Sequence, residues 1–298
     1  MTKAHPTLTL NNGVQMPALG LGVFQSTPEQ TVDAVTAALA RGYRLIDTAA
    51  AYLNEPQVGE AIARGGVPRS EVFVTTKLWI SDYGYERALR AFDVSLRKLG
   101  LESIDLYLLH QPLPSDFEAT VEAYRAAEKL LADGRVRAIG VSNFSPKQLE
   151  DLAARTRVVP AVNQVEVHPF FTQRELRAVH ARRGIVTQAW SPLGGVNVYM
   201  PGNPKAVKNP LAHPVVVALS QNYRKTPAQV VLRWHLQSGL SAIPKSVRPE
   251  RIAENFDVFD FALTAEEAAA IDALDTGVRG GPPPEVVDSM RFSISIPD

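Results

Sequence analysis

The sequence predicts an α/β fold, a (β/α)8 barrel forming a single domain over 1–298, on three observations. Short apolar runs rich in Ile, Val and Leu recur near 18–23, 44–48, 72–77, 104–110, 136–142, 161–166, 185–191 and 241–245. Segments with helical spacing fill the intervals between them. Eight such units fit into about 230 residues, which favours closure of a parallel sheet over an open doubly wound one.

The elements follow in order. Ahead of the first run, Leu8–Met16 places Asn12-Gly13 between two short alternating stretches, the pattern of an N-terminal β-hairpin. Leu89, Phe92, Leu96 and Leu99 recur at steps of three or four, as do Phe117, Val121, Tyr124, Ala127 and Leu131, and both sets predict helices. Thr27/Gln30, Ser115/Glu118, Ser145/Gln148, Thr172/Glu175, Thr226/Gln229 and Thr264/Glu267 have the spacing of capping boxes. In such a box, two side chains satisfy each other's orphan backbone amides. Pro28, Pro146 and Pro227 follow their caps at the first helical position, where a missing N–H costs nothing. Two segments exceed ordinary loop length: 193–213, and the tail from about 276 with Gly280-Gly281-Pro282-Pro283-Pro284. Long Pro/Gly-rich segments in a compact barrel are lids over the substrate or disordered extensions.

Composition narrows the partners. The 31 Lys and Arg residues balance 31 Asp and Glu residues, so no overall basic excess favours nucleic acid or an acidic membrane. No cysteine is present, which excludes disulfides, thiolate metal sites and a cysteine nucleophile, and fits a reducing cytosol. The start, Met1-Thr2-Lys3-Ala4-His5-Pro6, lacks the apolar core of a signal peptide. No window approaches 18 uninterrupted apolar residues, so no membrane span is expected. Heptads are absent, so nothing in the pattern argues against a monomer, and a cytoplasmic location is expected.

Barrel active sites lie where the strands end. The run at 44–46 ends in Asp47, with Tyr52 five residues on; 72–76 ends in Lys77; 104–109 ends in His110. Singly, each has a plain structural reading as a turn former, a solvated cation or a hydrogen-bonded imidazole. Together they suit proton donation to a carbonyl. A free phenol titrates near 10, and a neighbouring ammonium favours its ionised form. A carboxylate keeps that ammonium charged and in place, and a neutral imidazole orients a carbonyl oxygen. The set needs no metal.

Gly42-Tyr43-Arg44-Leu45-Ile46-Asp47-Thr48-Ala49, with Tyr52, Asn54, Glu55 and Gly59, resembles the first signature of the aldo-keto reductase superfamily. Val74–Trp79 and Asp105–His110 resemble its next catalytic blocks. The similarity continues through Gly140–Phe144, Asn163–Glu166 and Ile243–Ser246. Ala18–Gln25 and Asn255–Phe259 look most like the bacterial branch containing the 2,5-diketo-D-gluconate reductases. The resemblance implies a (β/α)8 barrel that reduces aldehydes or ketones with NADPH. Tyr52 would be the general acid, Lys77 and Asp47 would lower its pKa, and His110 would orient the carbonyl.

The cofactor expectation also has a basis in the residues. Gly20-Leu21-Gly22 leads to Gln25 where a dinucleotide fingerprint needs a third Gly, so a Rossmann site is not expected. Barrels often hold phosphate beyond their last two strands. There the chain opens into Lys245-Ser246-Val247-Arg248-Pro249-Glu250-Arg251, three cations and a hydroxyl at a helix start, which suits an anion. Such a cluster favours NADPH, whose ribose carries the extra 2′-phosphate. The resemblance further assigns Ser142, Asn143 and Gln164 to the carboxamide and Trp190 to the nicotinamide ring. It assigns Ser191 and Leu193 to the pyrophosphate, and Glu254 and Asn255 to the adenine. Phe24, Leu53, Trp79 and Gln111 are expected to line the substrate pocket. Leu53 stands where many relatives have Gly, and Gln111 where an aromatic is frequent. Two rival readings are a non-enzymatic binding member of the same fold and a barrel glycosidase, which needs two flanking carboxylates.

Overall fold

The computed structural model describes residues 6–195, 209–288 and 294–297. Two strands, β1 (Thr7–Thr9) and β2 (Gln15–Pro17), pair antiparallel as the expected hairpin. Gly13 makes the turn possible at φ 85°, a conformation that glycine adopts without steric cost. The hairpin seals one end of the main sheet. Its Leu10 and Met16 are buried among Leu45, Phe73, Leu106, Leu108 and Val162. Asn11 and Asn12 donate to the carbonyls of Pro160 (3.1 Å) and Arg137 (2.9 Å).

The main sheet holds eight strands: β3 (Leu21–Gly22), β4 (Leu45–Asp47), β5 (Phe73–Leu78), β6 (Ile104–Leu109), β7 (Val136–Ser142), β8 (Val162–Glu166), β9 (Val186–Trp190) and β10 (Ser241–Ala242). Neighbours in sequence are neighbours in space, and every pair is parallel. Parallel bridges Leu19↔Ala242 and Gly22↔Lys245 join the two ends of this order. Hydrogen bonds from Gly20 N to Ala242 O and from Ala242 N to Ala18 O, each 2.9 Å, accompany them. Alternation sorts the side chains. Leu106, Leu108 and Ala138 point into the inner cluster with the hairpin, whereas Tyr107, Leu109 and Ile139 join the larger cluster beneath the helices.

Helices lie between the strands and after the last of them: α1 (Pro28–Arg41), α2 (Glu55–Arg64), α3 (Tyr85–Leu99), α4 (Phe117–Ala132), α5 (Pro146–Ala153), α6 (Arg174–Arg183), α7 (Pro214–Tyr223), α8 (Pro227–Gln237), α9 (Pro249–Phe256) and α10 (Ala265–Asp272). Four expected capping boxes form, at Thr27, Ser145, Thr226 and Thr264. Two do not. At α4 the cap is Asp116, whose carboxylate accepts from Ala119 N, because the helix begins at Phe117 and Ser115 lies one residue too early to cap it. At α6 the cap is Gln173 in a left-handed conformation. Thr172 instead turns its hydroxyl to Asp275. Most of the loop 193–213, at 196–208, lies outside the described residues, as do 289–293 of the tail. Among the described residues no helix is long and apolar enough to cross a membrane.

Gly59, part of the first signature, is required by packing. A Cβ there would sit 2.1 Å from the carbonyl oxygen of Leu99, backbone against backbone. Gly59→Ala is therefore expected to cost about 1–3 kcal/mol by overpacking. The urea midpoint should fall with the slope unchanged; an unmoved midpoint would mean that α2 shifts freely.

Burial also sets an acid limit. Burial lowers the pKa of His180 from 6.5 to about 4, and that of His235 likewise. Both are neutral in the fold, so the unfolded chain binds more protons between those values. Their contribution is complete above about 6.5 and is lost as the pH falls toward 4. The urea midpoint should therefore drop between pH 7 and 5.5, and equal midpoints would show that neither imidazole is held neutral.

Candidate active site

Three adjacent strands deliver the expected residues to one end of the sheet. β4 ends in Asp47, and β5 carries Lys77 as its next-to-last residue, opposite Leu108 of β6. His110 follows β6 directly and its amide donates to Leu78 O (3.0 Å). Tyr52 closes a 3-10 turn after β4. The other signature residues hold that turn in place. Asn54 is buried, donates to Val23 O (2.9 Å) and accepts from Thr48 Oγ1 (2.7 Å). Glu55 accepts from Thr76 Oγ1 (2.6 Å).

The ammonium of Lys77 is fully buried. It donates to Asp47 Oδ1 (2.6 Å), Thr48 O (2.8 Å) and Tyr52 Oη (3.4 Å). Three oxygens thus use the three donors of one ammonium. Burial opposes the charge on Lys77, but Asp47 and Tyr52 outweigh it and hold the pKa above the usual lysine range. Burial raises the Asp47 carboxyl against the pull of Lys77. The ring of His110 stands edge-on to Tyr52, with centroids 5.5 Å apart. Burial and the charge of Lys77 push its pKa well down, so the imidazole is neutral at pH 7. Its Nδ1 is buried with no hydrogen-bond partner.

One expectation is corrected here. Lys77 does pull the phenol of Tyr52 toward ionisation, but burial pushes the other way and is the larger effect. Asp47 adds to the rise rather than to the fall. The balance keeps Tyr52 above its ordinary value, a protonated phenol at neutral pH.

Around this cluster, Phe24 packs on Tyr52 (4.9 Å between ring centroids) and Trp79 on His110 (5.0 Å). Phe24 is 48% exposed and Leu53 53%, so both present apolar surface beside the phenol. Leu53 sits at φ 57°, in the left-handed region where glycine is easiest. Gln111 is partly exposed next to His110.

The residues expected to hold a carboxamide lie on the neighbouring strands. Ser142 ends β7 and donates to Gln164 O (2.8 Å), while Asn143, at φ 66°, donates to His110 O (3.1 Å). Gln164 on β8 donates to Asp47 Oδ2 (2.7 Å). Trp190 ends β9, and its indole N–H donates to Asn143 Oδ1 (2.9 Å). Ser191 follows at φ 46°, and Leu193 packs on the core. Past β10, Lys245 is half-buried, and Ser246 Oγ accepts from Arg248 N (3.2 Å). Arg248 is the cap residue of α9, with exposed Arg251 in its first turn and partly buried Val247 before it. Glu254 accepts from Thr226 Oγ1 (2.7 Å), and Asn255 is buried beside it.

Residues 18–276 match the sequence profile of the Aldo/keto reductase family. The chain belongs to that family. It is 56% identical over 294 residues to morphine 6-dehydrogenase of Pseudomonas putida, covering 98% of this chain and 99% of the relative. To methylglyoxal reductase DkgA of Escherichia coli it is 47% identical, covering 95% and 98%. Among solved structures, the aldo-keto reductase of Bombyx mori in complex with NADP superposes with a TM-score of 0.85 at 39% identity, covering 93% and 95%. Membership supports an oxidoreductase with a nicotinamide cofactor acting on small carbonyl compounds. No group of three or more potential metal ligands occurs among the described residues.

Two features of this aldo-keto reductase escaped the sequence reading. Glu166, fully buried at the end of β8, accepts from the amides of Gly280 (2.7 Å) and Gly281 (2.8 Å) and pairs with His168 (3.0 Å). Burial works to raise its pKa, and His168 with the two amides outweigh that and lower it. The tail is thereby tied beside Trp190: a Cβ on Gly281 would lie 2.7 Å from the indole. The Gly-Gly pair was the visible signal, but its buried partner lies over a hundred positions away. Gln188 is the second feature. It sits inside β9, away from any strand end.

Proposed function

We propose that this chain reduces an aldehyde or ketone to an alcohol with NADPH, inside a closed (β/α)8 barrel. The observation that carries the reading is the buried Lys77 ammonium, which joins Asp47 and Tyr52 beside a neutral His110.

NADPH, when bound, supplies the hydride. Lys245, Arg248 and Arg251 would hold its 2′-phosphate. Among the described residues no carboxylate pairs with any of the three, and the first turn of α9 has no side-chain cap on its amides. That donor set fits an anion. Ser142, Asn143 and Gln164 would hold the carboxamide, Trp190 would flank the nicotinamide, Ser191 and Leu193 would flank the pyrophosphate, and Glu254 with Asn255 would meet the adenine.

His110, uncharged, can donate a hydrogen bond to the substrate oxygen without surrendering a proton. Tyr52 gives its proton to that oxygen as negative charge develops there. The phenolate left behind is stabilised by Lys77, whose charge Asp47 maintains. The raised pKa of Tyr52 keeps the acid loaded at neutral pH. Phe24, Leu53, Trp79 and Gln111 line the approach. The glycosidase alternative lacks support, since both rim carboxylates are already engaged, Asp47 by Lys77 and Gln164, Glu166 by the tail.

Mixing the protein with NADPH and a reactive aldehyde tests the reading. Loss of the reduced cofactor's absorbance at the rate of alcohol formation is expected. Tight NADPH binding with no turnover on a broad carbonyl panel would favour a non-enzymatic binding member instead.

A further inference from the structure

Gln164 makes a second hydrogen bond that the proposed reaction does not use. Its Nε2 donates to Asp47 Oδ2 and, at 2.7 Å, to Gln188 Oε1. Gln188 is completely buried. Its own Nε2 donates to Ser241 Oγ (3.1 Å) on β10 and approaches Met16 Sδ (3.9 Å) of the hairpin.

The direction of this chain is fixed at one end. An ionised carboxylate only accepts, so Asp47, held charged by Lys77, requires the NH2 of Gln164 to face it. Both hydrogens of that NH2 are then assigned, one to Asp47 and one to Gln188. The carbonyl oxygen of Gln164 is left on the other side. Gln188 must in turn present its oxygen to Gln164 and its NH2 to Ser241. Flipping either amide would set donor against donor or acceptor against acceptor among buried side chains, where an unmet polar group is costly.

We propose that Gln188 is a positioning residue for the nicotinamide. Through Gln164 it fixes an acceptor at the place where the cofactor's carboxamide is read. The proposal rests on the assignment of Gln164 to the carboxamide made above. Gln188 touches neither cofactor nor substrate; it acts by removing the rotational freedom of the side chain that does.

The test is binding rather than turnover, with two ligands: NADPH, and 2′-phospho-ADP-ribose, which has the same phosphates and adenine but no nicotinamide. Gln188→Met keeps length and volume and removes the acceptor. It should weaken NADPH about three- to tenfold, the equivalent of one net hydrogen bond, and leave the fragment unchanged. Gln188→Glu restores an oxygen acceptor to Gln164 and should recover most of the loss. In a Gln164→Leu background, Gln188→Met should add nothing, because the side chain it positions is gone. Should the Met variant fail to fold, Gln188→Asn withdraws the acceptor and permits the same comparison. Equal weakening of both ligands, no weakening of NADPH, or full additivity with Gln164→Leu would each overturn the proposal. An unmutated protein that binds the fragment as tightly as NADPH would instead overturn the carboxamide assignment itself.

Discussion

Tyr52→Phe is expected to lower carbonyl turnover by about 10²–10⁴, the usual worth of general acid catalysis. The substitution keeps the ring that packs on Phe24 and His110 and removes only the hydroxyl. Lys77 loses its longest hydrogen bond, at 3.4 Å, and keeps Asp47 and Thr48 O, so the buried ion pair survives. NADPH affinity should stay nearly constant, because the phenol is not among the groups proposed to hold the dinucleotide. A fall in kcat at unchanged cofactor affinity, measured by steady-state kinetics and fluorescence titration, is the result expected. Near-normal turnover would remove Tyr52 from the mechanism.

Arg251→Ala should weaken NADPH about ten- to a hundredfold and leave NADH nearly where it was. A hydrogen bond to a charged group is worth about 1.5–3 kcal/mol, and about 1.4 kcal/mol is tenfold in affinity. Arg251 is exposed in the first turn of α9, so its removal opens no cavity. The contact is solvent-accessible and is therefore screened: salt should weaken NADPH more than NADH. Titration of tryptophan quenching reads both. Equal losses for the two cofactors would mean that Arg251 supports the helix or the adenine pocket and not the phosphate.

What was legible in the sequence was what repeats or ends. The eight strands were visible because each is a short apolar run, and all appear within a few residues of their expected places. Asp47, Lys77 and His110 were visible because each closes such a run. Two caps were misread for a local reason. Ser115 and Thr172 have the right spacing, but Asp116 is one residue nearer the true start of α4, and Asp275, distant in sequence, claims the hydroxyl of Thr172. The sign of the Tyr52 shift was misread because a sequence shows a neighbouring charge but not the burial that competes with it. The partners of Gln188 and Glu166 were not legible for a third reason. Gln188 lies in the middle of β9 and Glu166 at the end of β8, and their partners come from β8, β10 or the tail, through pairings that only the folded sheet creates.

Direct transfer of hydride from cofactor to carbonyl carbon is the central step of the proposed reaction, and isotope transfer measures it. NADPH carrying deuterium at both C4 positions is incubated with the protein and an aldehyde in ordinary water, and the alcohol is examined by mass spectrometry and proton NMR. One deuterium per molecule of alcohol is expected, on the former carbonyl carbon, with the hydroxyl proton drawn through Tyr52 from solvent. An alcohol free of deuterium at that carbon, or cofactor oxidised with no alcohol formed, would contradict it.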